Sequence, residues 1–174
     1  MPQFKVNPNQ KELLDSLKGR KKRVLMVCLG NICRSPAAEG VLRSIVEAEG
    51  KENEWDIDSA GIGGWHVGDL PDKRMRVHAS RRGLNLNHIC RKVRESDFDD
   101  FDLIIGMDDG NLSDLRRLAP SLEAARKIVP MAQFVDSDLH CDHIPDPYYS
   151  GAEGFEHVLD LLENGCNNLY RRLS

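Results

Sequence analysis

An uninterrupted apolar run, Val24-Leu25-Met26-Val27, leads directly into Cys28-Leu29-Gly30-Asn31-Ile32-Cys33-Arg34-Ser35. Such a run is typical of a strand in the middle of a parallel sheet, because both of its faces are buried. Residues at helical spacing follow Pro36, which we expect at the first helical position, and continue to Gly50. The sequence therefore predicts a strand, a short loop and a helix, with Cys28 at the carboxyl end of the strand.

The loop from Cys28 to Ser35 has the parts needed to hold and attack an anion. Backbone N–H groups folded around one point, with a helix N-terminus aimed at it, bind anions. Gly30 permits a turn that a side chain would forbid, and Asn31 tolerates a left-handed conformation. Arg34 can grip two oxygens at once, and this positive field favours the Cys28 thiolate. We expect the Ser35 hydroxyl to donate to that thiolate and to cap the helix.

An ordinary strand–turn–helix with two buried cysteines is the alternative at this point. That alternative does not require glycine, asparagine, arginine and serine together in one turn, as this loop has them. We therefore favour the anion-binding interpretation.

Apolar periodicity alternates between strand and helix along the chain. Further strands are predicted at Trp55–Asp58, Phe101–Ile105 and, at an edge, Lys127–Val129. Further helices are predicted at Pro71–Arg82 and Asn111–Leu118, with a last apolar stripe from Phe155 to Leu173. This order predicts one α/β domain with a doubly wound, four-stranded parallel sheet flanked by helices. Ligands of such sheets bind at the carboxyl ends of strands, where the loop after the first strand lies.

Composition narrows the function further. The 174 residues carry a net charge of −4, which does not favour nucleic acid as a partner. The apolar runs are too short to cross a bilayer, so we expect no stable membrane association. The polar segment Met1–Gln10 does not resemble a secretion signal, so we expect a cytoplasmic protein. Five cysteines, an odd number, are expected to be reduced thiols there. Residues 1–23 are expected to be a solvated N-terminal extension, and 24–174 the functional domain.

A second segment supplies an acid. In Pro145-Asp146-Pro147-Tyr148-Tyr149, the two prolines restrict the backbone and fix the aim of the Asp146 carboxyl group. Tyr148 and Tyr149 would offer flat walls beside it, which suits an aromatic ligand. Taken alone, the segment is equally well explained as a rigid loop with a capping aspartate and two packing tyrosines.

Together, these two segments resemble the low-molecular-weight protein tyrosine phosphatases. The resemblance runs from Val24 to Leu173 and extends to the following motifs: Ser35-Pro36-Ala37-Ala38-Glu39, Asp58-Ser59-Ala60-Gly61, Trp65-His66-Val67-Gly68, Phe101-Asp102-Leu103-Ile104, Met107-Asp108 and Asn111-Leu112. A cysteine and an arginine at this spacing alone would be shared with unrelated phosphatases. The Cys28–Ser35 loop followed by the Asp146 segment, in this order and spacing, is specific to the family.

The resemblance implies a two-step displacement without a metal or organic cofactor. Cys28 attacks phosphorus, Arg34 and the loop amides hold the phosphate, and Asp146 is the general acid and then the general base. Asn31 braces the loop through Ser35 and His88. The implied substrate-binding residues are Leu29, Gly30, Asn31, Ile32, Cys33, Ser35, Trp65, Tyr148 and Tyr149, with His88 and Asp108 in support.

The same resemblance implies partners and a redox response. Phosphotyrosyl proteins or small aryl phosphates are the expected substrates, and phosphate or other oxyanions the expected inhibitors. Cys33, close to Cys28 in the loop, is expected to form a reversible disulfide with it under peroxide.

Other functions remain to be weighed. Arsenate reduction on this fold needs resolving cysteines, and neither Cys90 nor Cys141 is placed as such a residue. Protein-arginine phosphatases of this kind carry threonine where Ile32 stands and lack the double tyrosine. A catalytically silent phosphotyrosine-binding module would have lost Cys28, Arg34 or Asp146, and all three are present.

A metal site is a further alternative at His140-Cys141-Asp142-His143. The sequence offers no second ligand pair at zinc-like spacing, so we do not favour it.

Overall fold

A parallel sheet of four strands, in the order β2-β1-β3-β4, organises the computed structural model, which describes residues 8–174. The strands are β1 Lys22–Cys28, β2 Trp55–Gly61, β3 Leu103–Gly106 and β4 Ile128–Pro130. All three pairings are parallel, and β4 is an edge strand as predicted. The predicted parallel α/β sheet is therefore confirmed.

Helices cover both faces of this sheet. They are α1 Pro8–Ser16, α2 Arg34–Ala48, α3 Lys73–Ser80, α4 Asp97–Asp100, α5 Asp109–Leu118, α6 Leu122–Ala125 and α7 Ala152–Leu173, with short 3₁₀ turns at Glu52–Glu54, Met131–Phe134 and Ser137–Leu139. Side chains from α1, α2, α3 and α7 form one core layer, and those from α4, α5 and α6 form the other. The sheet is doubly wound because each face has its own helical layer.

The central strand β1 explains why the apolar run is continuous. Val24 and Met26 lie in one core layer and Leu25 and Val27 in the other, and all four are completely buried. Successive side chains of a strand point to opposite faces, so a strand covered on both sides needs apolar residues at every position.

The helix after the loop begins earlier than predicted. α2 starts at Arg34, so Pro36 is its third residue rather than its first. Proline is still tolerated there, because the first N–H groups of a helix have no partner within the helix. Cys33 occupies the N-cap position without a side-chain hydrogen bond, so the prediction that Ser35 caps the helix is wrong.

The N-terminal segment differs from a solvated extension over the residues that the structure describes. Leu14 of α1 is completely buried, and so is Leu17, which follows the helix. Both residues belong to the core layer that contains α7. Asp15 pairs with Arg172 at 2.7 Å, and the Gln10 side-chain amide donates to the Ile128 carbonyl oxygen at 3.3 Å. Residues 1–7 lie outside the described residues.

α1 contacts the amino-terminal edge of the sheet, since Ile128 is the first residue of β4. The loop after β1 lies at the opposite, carboxyl edge. Within residues 8–174, none of the helices combines the length and apolar character needed to cross a bilayer.

Candidate active site

The loop that joins β1 to α2 forms the base of a pocket of about 250 Å³ at the carboxyl edge of the sheet. The residues that line it are Cys28, Leu29, Gly30, Ile32, Cys33, Arg34, Trp65, His66, Asp146, Tyr148 and Tyr149. The loop and the distant acidic segment therefore meet in one place. Ser35 and Asp108 contact this lining through Cys28 and Arg34, Asn31 is part of the loop itself, and His88 lies behind it in contact with Asn31.

Cys28 lies at the base of the pocket, at the last position of β1. It is only 3% exposed, and its Sγ lies 3.0 Å from the Ser35 Oγ, in the first turn of α2. A hydroxyl donor and a helix N-terminus both stabilise a thiolate at that position.

Asn31 holds the loop in shape from inside. Its backbone is left-handed (φ 59°), its side chain is completely buried, and its amide Nδ2 donates to the Ser35 Oγ at 2.8 Å and to the Ser59 Oγ at 3.0 Å. Its Oδ1 lies 2.9 Å from Nε2 of His88 and accepts from the backbone N–H of Arg91 at 2.9 Å. The loop is thus fixed to a segment nearly sixty positions away in sequence.

Behind Asn31 lies a cluster of Glu39, Asp58 and His88, whose potential ligand atoms lie within 4.8 Å of one another. Nδ1 of His88 lies 3.2 Å from the Glu39 carboxylate and 3.4 Å from that of Asp58. The two carboxylates also accept from protein donors: Glu39 from Ser59 Oγ and Arg43, and Asp58 from Arg91. The cluster is satisfied by these internal donors and acts as a brace.

Two glycines allow close contacts at the loop, one with backbone and one with a side chain. A Cβ on Gly61 would lie 3.0 Å from the backbone nitrogen of Asn31 and equally near the Gly30 carbonyl carbon. A Cβ on Gly30 would lie 3.3 Å from the His66 ring. Gly30 is not among the residues with positive φ, so it provides space beside His66 rather than a left-handed turn.

Arg34 is almost completely buried, and its orientation is fixed by three oxygen atoms, one from Asp108 and two from the segment 144–146. Its Nη1 donates to Asp108 Oδ2 at 2.6 Å and to the Ile144 carbonyl oxygen at 3.0 Å, and its Nη2 lies 3.6 Å from Asp146 Oδ2. Burial opposes the charged form of Asp108, but the hydrogen bonds from Arg34 and from the Asn111 N–H outweigh it. The pKa of Asp108 therefore lies below its ordinary value.

Asp146 lies at the mouth of the pocket, with its side chain 45% exposed. Its Oδ1 accepts from the backbone N–H of Tyr148 at 3.1 Å. The carboxyl group therefore lies between the buried guanidinium of Arg34 and solvent, which suits a group that exchanges protons with a bound molecule and with water.

Aromatic side chains form the outer walls of the pocket. Trp65 and Tyr149 are 70% and 96% exposed, and the rings of Tyr148 and Tyr149 meet edge to face at 4.9 Å. The guanidinium carbon of Arg74 lies 5.2 Å from the Tyr148 ring centre, a cation–π arrangement that holds this wall in place. These flat, accessible faces can stack on an aromatic group.

The other thiols near the loop are poor nucleophiles. Burial raises the pKa of Cys33 far above its ordinary value, and the charges of Asp72 and Cys28 act in the same direction. Burial, followed by the charge of Asp69, raises the pKa of Cys90 to about 11. The Cys90 thiol donates to the Asn31 carbonyl oxygen at 2.8 Å, so it serves as another support of the loop.

Sequence reasoning missed His66 as part of the lining and missed Ser59, Glu39 and Cys90 as supports. Three of these belong to motifs that follow or flank the loop, Trp65-His66-Val67-Gly68, Asp58-Ser59-Ala60-Gly61 and Ser35-Pro36-Ala37-Ala38-Glu39. Their position in these motifs could have indicated a role at the site. Their contacts with the loop were not predictable, because they form only once β2 pairs with the whole length of β1.

Comparison with known proteins identifies the family. The sequence model described as low molecular weight phosphotyrosine protein phosphatase matches residues 23–174, from just inside β1 to the end of the chain. The chain belongs to this family. It is a protein tyrosine phosphatase, a hydrolase, and α1 lies before the family match.

Members of the family from distant organisms resemble the chain closely. Low molecular weight phosphotyrosine protein phosphatase 1 of Drosophila melanogaster is 46% identical over 148 residues, which cover 83% of this chain and 92% of the relative. A crystal structure of a protein tyrosine phosphatase from Entamoeba histolytica superposes with a TM-score of 0.84 at 40% identity, covering 88% of this chain and 97% of that one. A crystal structure described as DARP, Drosophila arginine phosphatase, has a TM-score of 0.79 at 33% identity, with coverage of 85% and 95%.

Proposed function

We propose that the protein hydrolyses phosphotyrosine and other aryl phosphates through a phosphocysteine intermediate, with Cys28 as nucleophile, Arg34 as phosphate clamp and Asp146 as general acid and base. The observation that carries this proposal is that the three side chains line one pocket of about 250 Å³. The nucleophile lies at its base, the acid at its mouth, and the guanidinium between them.

In the first step the Cys28 thiolate attacks phosphorus. The sulfur–phosphorus bond forms while the bond from phosphorus to the phenolic oxygen breaks. Asp146, in its protonated form, gives its proton to that oxygen. Donation from the Ser35 hydroxyl at 3.0 Å and the N-terminus of α2 stabilise the thiolate before attack.

Charge on the phosphoryl oxygens is stabilised by Arg34 and by the N–H groups of the loop. Arg34 is already oriented by Asp108 and by the Ile144 carbonyl oxygen, both through Nη1. Its contact with Asp146 through Nη2 is longer, at 3.6 Å, so this nitrogen is the one that we expect to turn towards phosphate.

In the second step water attacks the phosphocysteine. Asp146, now ionised, takes a proton from the water, the sulfur–phosphorus bond breaks, and Cys28 leaves as thiolate. Inorganic phosphate and similar oxyanions occupy the same loop and inhibit competitively. The step uses no group beyond the side chains named here and water.

The substrate class follows from the walls of the pocket. Trp65, Tyr148 and Tyr149 present aromatic faces that can stack on a phenyl ring whose phosphate lies in the loop. Membership of the family supports phosphoproteins as substrates. The free thiols of the chain, together with the need for a reduced nucleophile, support action in a reducing cytoplasm.

Phosphoarginine is the second candidate substrate, because the chain is similar to the Drosophila arginine phosphatase. Against it stand Ile32, which lines the pocket, and the exposed pair of tyrosines. An apolar branched side chain at the loop gives a guanidinium no hydrogen-bond acceptor, whereas it packs well beside a phenyl ring.

The test is steady-state hydrolysis of phosphotyrosine, phosphoserine and phosphoarginine substrates side by side, with reductant and without added metal. We expect fast release from phosphotyrosine only, no turnover by Cys28→Ser, and retained oxyanion binding by that variant. Preference for phosphoarginine would overturn the aryl specificity, and normal turnover by Cys28→Ser would overturn the covalent mechanism.

The role of Asp146 is tested with leaving groups of different basicity. Asp146→Asn should lose about 10²–10⁴-fold in kcat for a basic phenolate and much less for an acidic one. Asp142→Asn, a highly exposed neighbour on the same loop, is the matched control and should match the unmodified protein. An equal loss for good and poor leaving groups would remove Asp146 as the acid.

A further inference from the structure

A second cleft, larger than the catalytic pocket, lies along the outer side of α3. Its volume is about 780 Å³. The residues that line it are Leu70, Lys73, Arg76, Val77, Ser80, Arg81, Gly83, Leu84, Asn85, Leu86 and Asn87. We call it the α3 cleft, and none of the catalytic residues discussed above belongs to it.

The cleft exists because α3 has two different faces. The inner face buries Met75 and Ala79 completely, and the His78 ring stacks on Phe155 of α7 at 5.5 Å. The outer face carries Lys73, Arg76, Val77 and Ser80, at the spacing i, i+3, i+4 and i+7 of a single helical stripe. That stripe faces solvent and the segment 83–87.

Among the residues that the structure describes, the cations of the cleft have no acidic partners. Lys73, Arg76 and Arg81 line it together with no carboxylate, and within residues 8–174 none of the three forms an ion pair. Arg76 only donates through Nε to the Pro71 carbonyl oxygen at 2.9 Å. The chain as a whole is acidic, with a net charge of −4, so this local concentration of unpaired positive charge stands out from its surroundings.

Neighbouring arginines show the contrast. Arg74 is paired with Asp72, and Arg82, directly after Arg81, is paired with Glu156 and with two further carboxylates of α7. Along α3 and the turn that follows it, the arginines that face the protein are therefore paired with carboxylates, and the cations that face the cleft are unpaired within the part of the chain that the structure describes.

The floor of the cleft is apolar. Leu70 and Val77 are 47% and 41% exposed, and the buried Leu84 and Leu86 line the cleft with them. Asn85 and Asn87 add exposed amide groups that can both donate and accept hydrogen bonds. Exposed apolar side chains ringed by unpaired cations fit a peptide segment that combines apolar and acidic residues.

The cleft is connected to the catalytic pocket. Trp65 and His66 line the pocket, and the same loop continues to Leu70 in the cleft. The loop is held against the phosphate loop where the N–H of Asp72 donates to the Ile32 carbonyl oxygen at 2.8 Å. A chain that leaves the pocket along this loop reaches the first turn of α3.

We infer that the α3 cleft binds an acidic segment of the phosphoprotein substrate, with one apolar side chain on Leu70 and Val77 and carboxylates on Lys73, Arg76 and Arg81. The inference deepens the proposed function and rests on it. It makes the protein selective for phosphotyrosines that have acidic residues nearby in the same chain.

Direct binding tests the cleft without catalysis. The probe is a fluorescein-labelled peptide without phosphate that contains leucine and several aspartates and glutamates, compared by anisotropy with its asparagine–glutamine counterpart. The triple variant Lys73→Gln, Arg76→Gln, Arg81→Gln should bind the acidic peptide about tenfold more weakly, because each exposed ion pair contributes up to about fivefold. Binding should also weaken with added salt.

The matched control removes the same charge elsewhere. Arg116, Arg126 and Arg171 are exposed on other elements, and the triple Arg116→Gln, Arg126→Gln, Arg171→Gln should bind the acidic peptide as the unmodified protein does. Equal losses in the two triple variants would overturn the inference, since net charge alone would then explain binding. Preferential binding of a single-stranded oligonucleotide over the peptide would overturn it as well.

Kinetics separates this inference from the proposed function. With phosphotyrosyl peptides, the unmodified protein should have a higher kcat/KM for an acidic flank than for a neutral one, and the cleft variant should lose only this preference. Turnover of both peptides without preference would overturn the cleft inference and leave the proposed function intact. Failure to hydrolyse either peptide, with binding of the acidic probe retained, would overturn the proposed function instead.

Discussion

Nη1 of Arg34 lies 2.6 Å from Oδ2 of Asp108, and the other carboxylate oxygen of Asp108 accepts from the backbone N–H of Asn111 at 2.8 Å. Asp108 is the N-cap of α5. One carboxylate therefore caps a helix that follows β3 and orients the arginine that follows β1. This arrangement makes the geometry of the phosphate loop depend on a neighbouring strand.

The first prediction concerns Asp108→Asn. The lowered pKa of Asp108 means that its charged form stabilises the folded state at pH values above its unfolded value of 3.8 and that this contribution disappears as the pH falls through the folded pKa. The difference in free energy of unfolding between the unmodified protein and Asp108→Asn should be greatest near neutral pH and should shrink below pH 3.8. Urea unfolding of the two proteins, near neutral pH and again below pH 3.8, measures this difference in the free energy of unfolding.

The same variant should lose about 10²-fold in kcat/KM, because a misplaced guanidinium no longer matches the phosphoryl oxygens. Asp109→Asn, the exposed next residue, is the control and should change neither quantity appreciably. A stability difference that is independent of pH would contradict the role given to the Asp108 charge.

The second prediction concerns Gly61→Ala. The added Cβ would lie 3.0 Å from the backbone of Asn31 and Gly30, and backbone atoms cannot move aside as a flexible side chain can. We expect a loss of about 1–3 kcal/mol in the free energy of unfolding, together with reduced affinity for inorganic phosphate. Thermal unfolding and phosphate inhibition measure the two effects.

Gly64→Ala is the matched control for this change. Its Cβ would meet the side chains of Lys92 and Val67 at 3.6 Å, an ordinary contact distance. If Gly61→Ala bound phosphate as tightly as Gly64→Ala, the close approach of β2 would not shape the loop.

The third prediction concerns oxidation. Peroxide should inactivate the protein, and reductant should restore it, because Cys33 captures the oxidised Cys28 as a disulfide. Burial raises the pKa of Cys33, so this capture should be slow at neutral pH and faster at alkaline pH. Both thiols are buried and free in the structure. Cys33→Ser should be inactivated by the same treatment but recover poorly, because the oxidised Cys28 then proceeds to irreversible forms.

Recovery of activity after reductant is the measurement, with Cys141→Ser as the control, since Cys141 lies in another pocket. Full recovery of Cys33→Ser would rule out Cys33 as the protecting thiol.

The fourth prediction concerns α1. Leu14 is completely buried against the core layer that contains α7, so Leu14→Ala should lower the free energy of unfolding by about 2–5 kcal/mol. Turnover at low temperature should be unchanged, because α1 contacts the amino-terminal edge of the sheet and the pocket lies at the other edge. Glu12→Ala, an exposed neighbour, should change stability by less than about 0.5 kcal/mol.

Denaturant unfolding and steady-state kinetics on the same preparations check this prediction. Unchanged stability of Leu14→Ala would show that α1 is not part of the folded core. A loss of turnover in a variant that is fully folded would instead connect α1 to the site.

The order of the four strands and of α2, α3, α5 and α7 was predictable, because the apolar pattern of each of these elements lies within its own residues. Helices α1, α4 and α6 were not predicted from the sequence, and of these α4 and α6 are too short to show a helical period. The apolar run of β1 and the apolar stripe of α7 follow from periodicity, and both are where the sequence predicts them. The start of α2 was less predictable, since the first turn of a helix makes few hydrogen bonds of its own and loop contacts decide where it begins.

The sequence by itself determined the chemical parts of this protein, namely a thiol, an arginine and an acid on loops that follow predictable strands. Only the tertiary structure decided their surroundings. Cys90 reaches Asn31, Asp108 reaches Arg34 through the N-cap of α5, and, among residues 8–174, Lys73, Arg76 and Arg81 remain unpaired beside an apolar floor. The physical reason is that periodicity is a property of neighbouring residues, whereas these contacts join residues far apart in sequence that meet only when parallel strands align their carboxyl ends.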